Sequence, residues 1–473
     1  MNLLESYKNR LAISESIHQK SHNGAKMSAQ KKLMIAAVLN NTSKFMNEAF
    51  TSGDATQRGA LHDYKKFCLN ISTVALPNLI LPELMLTQPM SSITGYVTYL
   101  RYTVGTPKNY LDNETVINSV YRLGDMTEDR INYTSDRVAE TVEVSEDGSV
   151  QLSWFPVVNT DKVKAEVVSG ATEITAKDAD KGIYTVTGAD KGAKVKVRYI
   201  YNNIVIPQNQ IPTLKAEMDA IELHAHARRI AVYYSQIAAF QAKTDYGTDI
   251  GEQLAAQAQG ELAYEIDTEG VMMLYKGAET DTRLEFKSYD VSTQASIISR
   301  SQYYEYFNEI IARAKQIIYK RTQKFAPNYM VVGTDVISIL PYLKGWTAAP
   351  ANTINGPYFA GTVDGLKVFV SPAIKANEFF FGVNGSDLQT SAAVYAPYMA
   401  IVPTQLLGFA DGTMSQGFST MYDMKLLSTY EGYWNTTKNK PIKDSKEGKF
   451  SHLLVKGWLV VDKDTKAPVD AEN

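Results

Sequence analysis

The sequence predicts a mixed α+β protein that carries a small inserted all-β domain. Three observations lead there. Apolar residues at helical spacing dominate two long stretches, 249–275 and 295–323. Residues 143–200 instead hold short alternating runs with a turn signal between neighbours. Beyond Pro327, strand-like runs separated by Gly/Pro turns take over. A chain of 473 residues has room for two to four domains at roughly 100–200 residues each.

Residues 1–50 read as amphipathic helix, with Leu33 and Ala37, and Met34 and Val38, at i, i+4 spacing. Such a stripe has to be buried, either on a neighbouring subunit or as a core helix of the same chain, and both readings stay open. Ser52, Gly53, Asp54 and Gly59 mark a break. The β-branched and aromatic run 96–104 predicts a strand, and strand signals resume at Val138–Val144. Between them, 105–135 is polar and charged, so the whole reads as a two-stranded arm with a charged tip. An isolated hairpin of this kind is marginal, which suggests that it reaches toward a partner.

Within 143–200 the predicted strands are Ser149–Phe155, Val163–Val168, Ile183–Thr187 and Lys194–Tyr201. Asp147-Gly148, Ser169-Gly170, Lys181-Gly182 and Lys191-Gly192 punctuate them, the pattern of a small sandwich or barrel, with a ragged extension of the preceding hairpin as the alternative. Helix is expected to return after Pro212, although Ile230-Ala-Val-Tyr-Tyr adds a strand signal. Helix 249–275 carries the stripe Leu254, Ala258, Leu262, Ile266 and Met273. Gly260 and Gly270 each cost about 1 kcal/mol there, so a close backbone neighbour is expected. The next helix should bury Tyr303, Phe307, Ile310, Ile311, Ala314 and Ile318. Strands follow at Asn328–Val332, Leu366–Val370, Phe379–Val383, Ala392–Tyr395, Phe418–Leu427 and His452–Asp462, with an exposed lysine-rich loop at 435–449.

Several function classes find no support. Net charge is -3, from 48 basic and 51 acidic residues, which argues against a DNA-condensing protein. The single cysteine, Cys68, forms no intrachain disulfide and has the setting of a buried apolar side chain. No secretory signal opens the sequence. The apolar stretch from Ile71 to Leu86 is interrupted by Pro77, Asn78, Pro82 and Glu83, so a soluble protein made in the cytoplasm is expected. Of the histidines, His224 and His226 would share a strand face, but no further ligand completes a metal set. Walker, dinucleotide-binding and nucleophile-elbow motifs find no match. Glu261, Glu265 and Glu269 read as a solvated helix face. Trp154 and Phe155 suit either a sandwich core or a sugar-stacking platform. No catalytic residue, cofactor or metal is assigned.

Four stretches carry a resemblance. The first is Pro77-Asn78-Leu79-Ile80, followed by Gln88-Pro89-Met90, Thr94-Gly95, Val97, Leu100 and Arg101. The second is Phe359-Ala360-Gly361 with Gly365, and the third is Tyr395-Ala396-Pro397-Tyr398-Met399-Ala400-Ile401 with Pro403. The fourth is Gly417-Phe418-Ser419-Thr420-Met421-Tyr422. In this order they resemble the T-even-type major capsid protein of tailed bacteriophages, a branch of the Hong Kong 97 fold.

The resemblance implies an N-terminal arm at 1–68 and, at 69–142, the start of a peripheral domain with its E-loop. It implies a β insert at 143–202, a peripheral domain with spine helix at 203–324, and an axial domain at 325–403. A return strand and C-terminal extension would fill 404–473. It also implies a structural, non-enzymatic subunit that forms hexamers in an icosahedral head around double-stranded DNA, assembled in the host cytoplasm into the virion. Its partners would be other head proteins: vertex, portal, scaffold or decoration proteins. Arg122, Asp125, Glu128, Asp129 and Arg130 at the E-loop tip would contact the neighbouring subunit. A vertex (pentamer) paralogue and an encapsulin-type compartment remain as alternatives. The β insert and the continuation beyond Leu427 depart from the family pattern, and Leu3-Leu4-Glu5 and Ile13-Ser14-Glu15 fit its hydrophobic-x-Glu processing rule.

Overall fold

The computed structural model describes residues 3–22, 24–49, 69, 73, 76–109, 133–158, 166–169, 173–205, 211–246, 250–289, 298–322, 325–350, 356–387, 390–404, 407–427, 434–435, 440–441, 451 and 453–461. It divides into two units. One comprises Met1–Thr98, Ala220–Thr429 and Ser445–Asn473; the other comprises Tyr99–Asp219 and Tyr430–Asp444.

The first unit begins with α1 (Leu3–Ser6), α2 (Lys8–Ser21) and α3 (Ala29–Ala49). Helix α3 buries Met34, Ile35, Val38 and Leu39, whereas Leu33 is half exposed. Of the two spacings in its sequence, the Met34/Val38 face is therefore the inner one. Asn41 Nδ2 donates to the carbonyls of Met90 (2.6 Å) and Tyr398 (3.0 Å), and Thr42 Oγ1 accepts from Ala400 N (3.2 Å). The stripe is thus buried within its own chain, as a core helix.

The short helix α4 (Leu81–Leu84) follows, started by Pro82 in its first turn. Helix α5 spans Gln236–Tyr246 and α6 spans Ile250–Lys276. In α6, Ala258, Leu262, Ile266 and Leu274 are buried, while Glu261, Glu265 and Glu269 are exposed. The two glycines behave differently from expectation. A Cβ at Gly270 would lie 2.3 Å from Leu81 Cδ2, so α6 needs glycine there to pack on α4, against a side chain rather than a backbone. A Cβ at Gly260 would meet open space. The predicted helix 295–323 is two helices, α7 (Arg300–Glu305) and α8 (Phe307–Thr322). Ser299 and Gln302 form a capping box on α7. Phe307, Ile310, Ile311, Ala314 and Ile318 point into the core, with Tyr303 half-buried.

Strand Thr94–Val104 pairs with Leu214–His224 and not with Arg137–Glu143, so the two-stranded arm expected from 96–104 and 138–144 does not form between those strands, and two larger sheets lie in this unit among the described residues. Five strands group Leu86–Thr87, Ala393–Pro403, Thr413–Leu426 and His226–Ser235 in that order, with Leu407–Gly408 beside Thr413–Leu426. The helix expected after Pro212 is replaced by extended chain, Leu214–His224 and His226–Ser235. The second of these pairs antiparallel with 413–422 over ten residues, from His226↔Tyr422 to Ser235↔Thr413. That ladder, with Ile230, Val232 and Tyr234 on one face, outweighs the local helical signal. Pro397 has no N–H to give, and the register of its strand shifts beside it.

The seven-stranded sheet runs Glu279–Lys287, Leu454–Val460, Glu378–Gly382, Tyr329–Val332, Leu366–Val370, Tyr358–Val363 and Thr347–Ala348. Met330, Val331, Val332, Phe379, Phe380 and Phe381 are fully buried, which explains why their strands read as unbroken apolar runs. Strand 454–460 lies inside this sheet, parallel to 279–287 and antiparallel to 378–382. The hairpin from 358–363 to 366–370 turns at Asp364-Gly365, both with positive φ (48° and 78°), a conformation for which Asp-Gly is suited.

In the second unit, six strands make two three-stranded sheets. One is ordered Arg137–Glu143, Lys194–Ile200, Glu166–Ser169, the other Ser149–Gln151, Ile183–Thr187, Glu173–Asp178. Their shared core includes Val138, Val150, Leu152, Tyr184, Val195 and Val197. Strand 173–178 has no counterpart in the sequence reading. Its side chains are exposed or half-exposed, so no apolar alternation announces it. Trp154 is 3% exposed and tilts against Tyr201 at 5.3 Å, which makes it core rather than a sugar platform. Lys108 Nζ sits over both rings, at 5.1 and 4.8 Å, and donates to the Ser135 carbonyl. Burial pushes its pKa down to about 8.

Candidate functional site

The E-loop residues Arg122, Asp125, Glu128, Asp129 and Arg130 lie outside the described residues. His224 and His226 close one strand and open the next. Their rings meet edge to face at 5.1 Å, both are exposed, and no third donor joins them among the described residues.

Two other places stand out in the first unit. One is an apolar surface at the end of the five-stranded sheet. Tyr233 and Leu407 both lie beside Ser415, on opposite sides of the same strand, so they share a sheet face. They are 64% and 58% exposed. Helix α5 starts directly after that strand, with Ile237 and Phe240 exposed at 70% and 72%, and Phe409 is exposed in the adjoining turn. Strand 226–235 is moreover an edge strand, and edges of this length are normally shielded. Large apolar side chains grouped this way mark an interaction surface.

The other place is a buried polar cluster inside the main core. Helix α2 supplies His18, and His22 stands at its C-cap, four residues on. Helix α4 supplies Glu83, α3 supplies Lys31 and strand 366–370 supplies Lys367. Glu83 Oε1 lies 3.0 Å from His22 Nε2, 3.8 Å from His18 Nε2 and 3.7 Å from Lys31 Nζ, while Oε2 pairs with Lys367 Nζ at 2.8 Å. The His18 and His22 rings stack at 4.0 Å, and Phe359 covers the other face of His22 at 4.8 Å. Lys31 Nζ also donates to the Leu79 carbonyl at 3.1 Å.

Burial sets the electrostatics of this cluster. It pushes the His18 imidazole down to about 3, helped by the positive charge of Lys31 and by His22. It lowers Lys31 as well, against the pull of Glu83 and Asp267. Glu83 is pushed up by burial, but the close His22 and the two lysines outweigh this and hold it well below the usual carboxylate range. Nearby, Asp267 of α6 accepts from the N–H groups of Ile80 and Leu81 at 3.2–3.3 Å. Burial still raises it to about 7.

The sequence reading passes over this cluster, although His18-x-x-x-His22 is a ligand-type spacing at the end of a helix. Glu83, Lys31 and Lys367 are far apart in sequence, and nothing local connects them.

The family model of the major capsid protein Gp23 matches residues 62–454. Most of the chain, including all four motif stretches, falls within that span. No curated protein sequence matches it. Among solved structures, a protein of Mycobacterium phage Bobi is 10% identical and has a TM-score of 0.38, with 82% of this chain and 91% of that one covered. The capsid of Myoviridae phage XM1 is 8% identical, TM-score 0.31, covering 69% and 86%. The encapsulin of the holo-SrpI complex from Synechococcus elongatus PCC 7942 is 11% identical, TM-score 0.30, covering 54% and 81%. Scores this low add nothing to the family match. The family match defines a class, the structural proteins of capsid shells. The chain belongs to the Gp23 major capsid protein family. Its place is the capsid of a virion, where copies assemble into the shell.

Proposed function

We propose that the chain builds hexameric capsomers of a Hong Kong 97-type icosahedral head in a tailed bacteriophage. It is a building block without catalytic activity, assembled in the host cytoplasm. It encloses double-stranded DNA without reading its sequence and joins vertex, portal and scaffold or decoration proteins of the head. The observation that carries this reading is the family match over 62–454, together with an apolar surface that a lone subunit leaves uncovered.

In a ring of like subunits each contact is head to tail, and it closes when the rotation closes. The stretch 105–140 within 69–142 acts as the E-loop, and the charges of Arg122, Asp125, Glu128, Asp129 and Arg130 fix its position on the next subunit. Each exposed pair contributes about 0–1 kcal/mol, so geometry and number supply the specificity. The surface of Tyr233, Ile237, Phe240 and Leu407 is covered by a second copy. The β unit braces adjacent subunits.

Negative-stain electron microscopy of the expressed chain tests this, with a scaffold or chaperone supplied where needed. Closed shells, tubes or hexameric rings are expected. A Tyr233→Asp/Leu407→Asp variant should stay folded yet remain dispersed. A wild type that is monomeric under every condition would refute the assembly reading. A variant that assembles normally would move the contact elsewhere.

A further inference from the structure

We propose that His18, His22 and Glu83 form a binding site for a divalent transition-metal ion, zinc being the best fit, which fastens helix α2 to the segment carrying Glu83. One nitrogen of each ring and one carboxylate oxygen lie within 4.8 Å of one another. Four ligands about 2.0–2.1 Å from zinc sit roughly 3.3 Å apart at tetrahedral angles. The 3.0 and 3.8 Å separations from Glu83 Oε1 bracket that spacing.

The hydrogen bonds of His22 make the case sharper. Its Nδ1 lies 3.2 Å from the His18 carbonyl and 2.8 Å from Ser21 Oγ, so a proton on Nδ1 has acceptors, and the tautomer that leaves Nε2 open to a ligand is a supported one. Ser21 Oγ, 2.8 Å from Nδ1, can direct its one proton to the His18 carbonyl at 2.9 Å and accept from Nδ1. In that tautomer the lone pair is on Nε2, the atom 3.0 Å from Glu83 Oε1. Two acceptors that close repel unless something positive lies between them. His22 Nε2 and Glu83 Oε1 lie at 3.0 Å without the alignment of a well-formed hydrogen bond. The two rings, stacked at 4.0 Å, would swing on ion binding so that a nitrogen of each faces the same point. His18 Nδ1 is also buried without a partner, and His18 is 4% exposed. An imidazole whose second nitrogen is fixed by a backbone carbonyl is the usual support for a metal ligand.

Two lysines oppose a cation here, and their positions limit the opposition. Lys367 is half exposed and holds the other carboxylate oxygen, Oε2. Lys31 has the Leu79 carbonyl as a separate partner. Their charge weakens binding without blocking Oε1. Two histidines and a carboxylate suit zinc, with an open position for water, better than they suit magnesium or calcium. His18 and His22 precede the family-matched span and Glu83 lies within it, so the ion would tie the N-terminal helices to the family-matched body of the chain.

The test is calorimetric titration of the full-length chain, without a histidine tag and freed of metal by a chelator, with Zn2+ alone. A parallel titration with Co2+ reads its visible ligand-field bands. The wild type should bind one equivalent per chain, with Co2+ bands of four-coordinate nitrogen–oxygen type. His22→Ala and His18→Ala should weaken binding by about 10–100-fold or more. Lys367→Met should tighten it several-fold by removing the competing charge, a result that misfolding does not mimic. His224→Ala/His226→Ala should bind like the wild type. Absence of saturable binding in the wild type overturns the proposal, and so does equal binding in the His18, His22 and wild-type proteins.

Discussion

Asp267 supplies what the segment it serves lacks. Ile80 stands at the N-cap of α4 and has no side-chain oxygen to accept from the exposed N–H groups of the first turn. The carboxylate of Asp267, from α6, does so instead. Its folded pKa, raised to about 7 by burial, lies above the ordinary 3.8. The protonated form is thus favoured by folding. Its contribution to stability is fully present below the unfolded value and is lost as pH rises through the folded one. Asp267→Asn should remove this dependence. Urea unfolding of both proteins from about pH 4 to about pH 8 should show the wild type losing ground to the variant. The steepest slope of the difference is about 1.4 kcal/mol per pH unit. A difference that stays flat across that range would mean that Asp267 is ionised throughout.

At the scale of elements, the two glycines of α6 make a matched pair. Alanine at either position improves helix propensity by about 1 kcal/mol. At Gly270 the added methyl meets fully buried Leu81, which has nowhere to go, and overpacking of this kind typically costs about 1–3 kcal/mol. Gly260→Ala should therefore stabilise the protein and Gly270→Ala should not. Denaturant midpoints that rise equally for both would show that the α4–α6 contact is looser than drawn.

The same helix shows what sequence alone reveals. The stripe Ala258, Leu262, Ile266 is legible because it repeats within the helix that it defines. Strand 226–235 is legible only in part, as the run from Ile230 to Tyr234 amid helical signal, because its partner lies nearly two hundred residues away in strand 413–426. Strand 173–178 hides for the opposite reason, having little buried surface to imprint a pattern. The family motifs were readable as spacing, but not their placement in the turn before α4 and in the long strands of the sheets. His18, His22 and Glu83 come together only in the fold, so the cluster was out of reach beyond its four-residue spacing.

For the whole molecule, the β unit offers a clean excision. Arg137 and Ile200 face each other in register, and Tyr201 N donates to the Asp136 carbonyl at 3.1 Å. The two ends of the segment are already adjacent, so a short glycine linker can replace 137–201. If the unit braces neighbouring subunits, shells made from the shortened chain should form but melt at lower temperature and open in less denaturant. Shells of unchanged stability would assign the unit to surface decoration instead.

Strand 454–460 sits between strands 279–287 and 378–382, both of which leave the ribosome long before it. Until it arrives, the two inner edges of the seven-stranded sheet stay unpaired and sticky. A chain halted before residue 454 therefore lacks a middle strand rather than a tail. Synthesis through residue 460 thus acts as a checkpoint on the sheet, and chains terminated before residue 454 should be more prone to aggregation than the full-length protein.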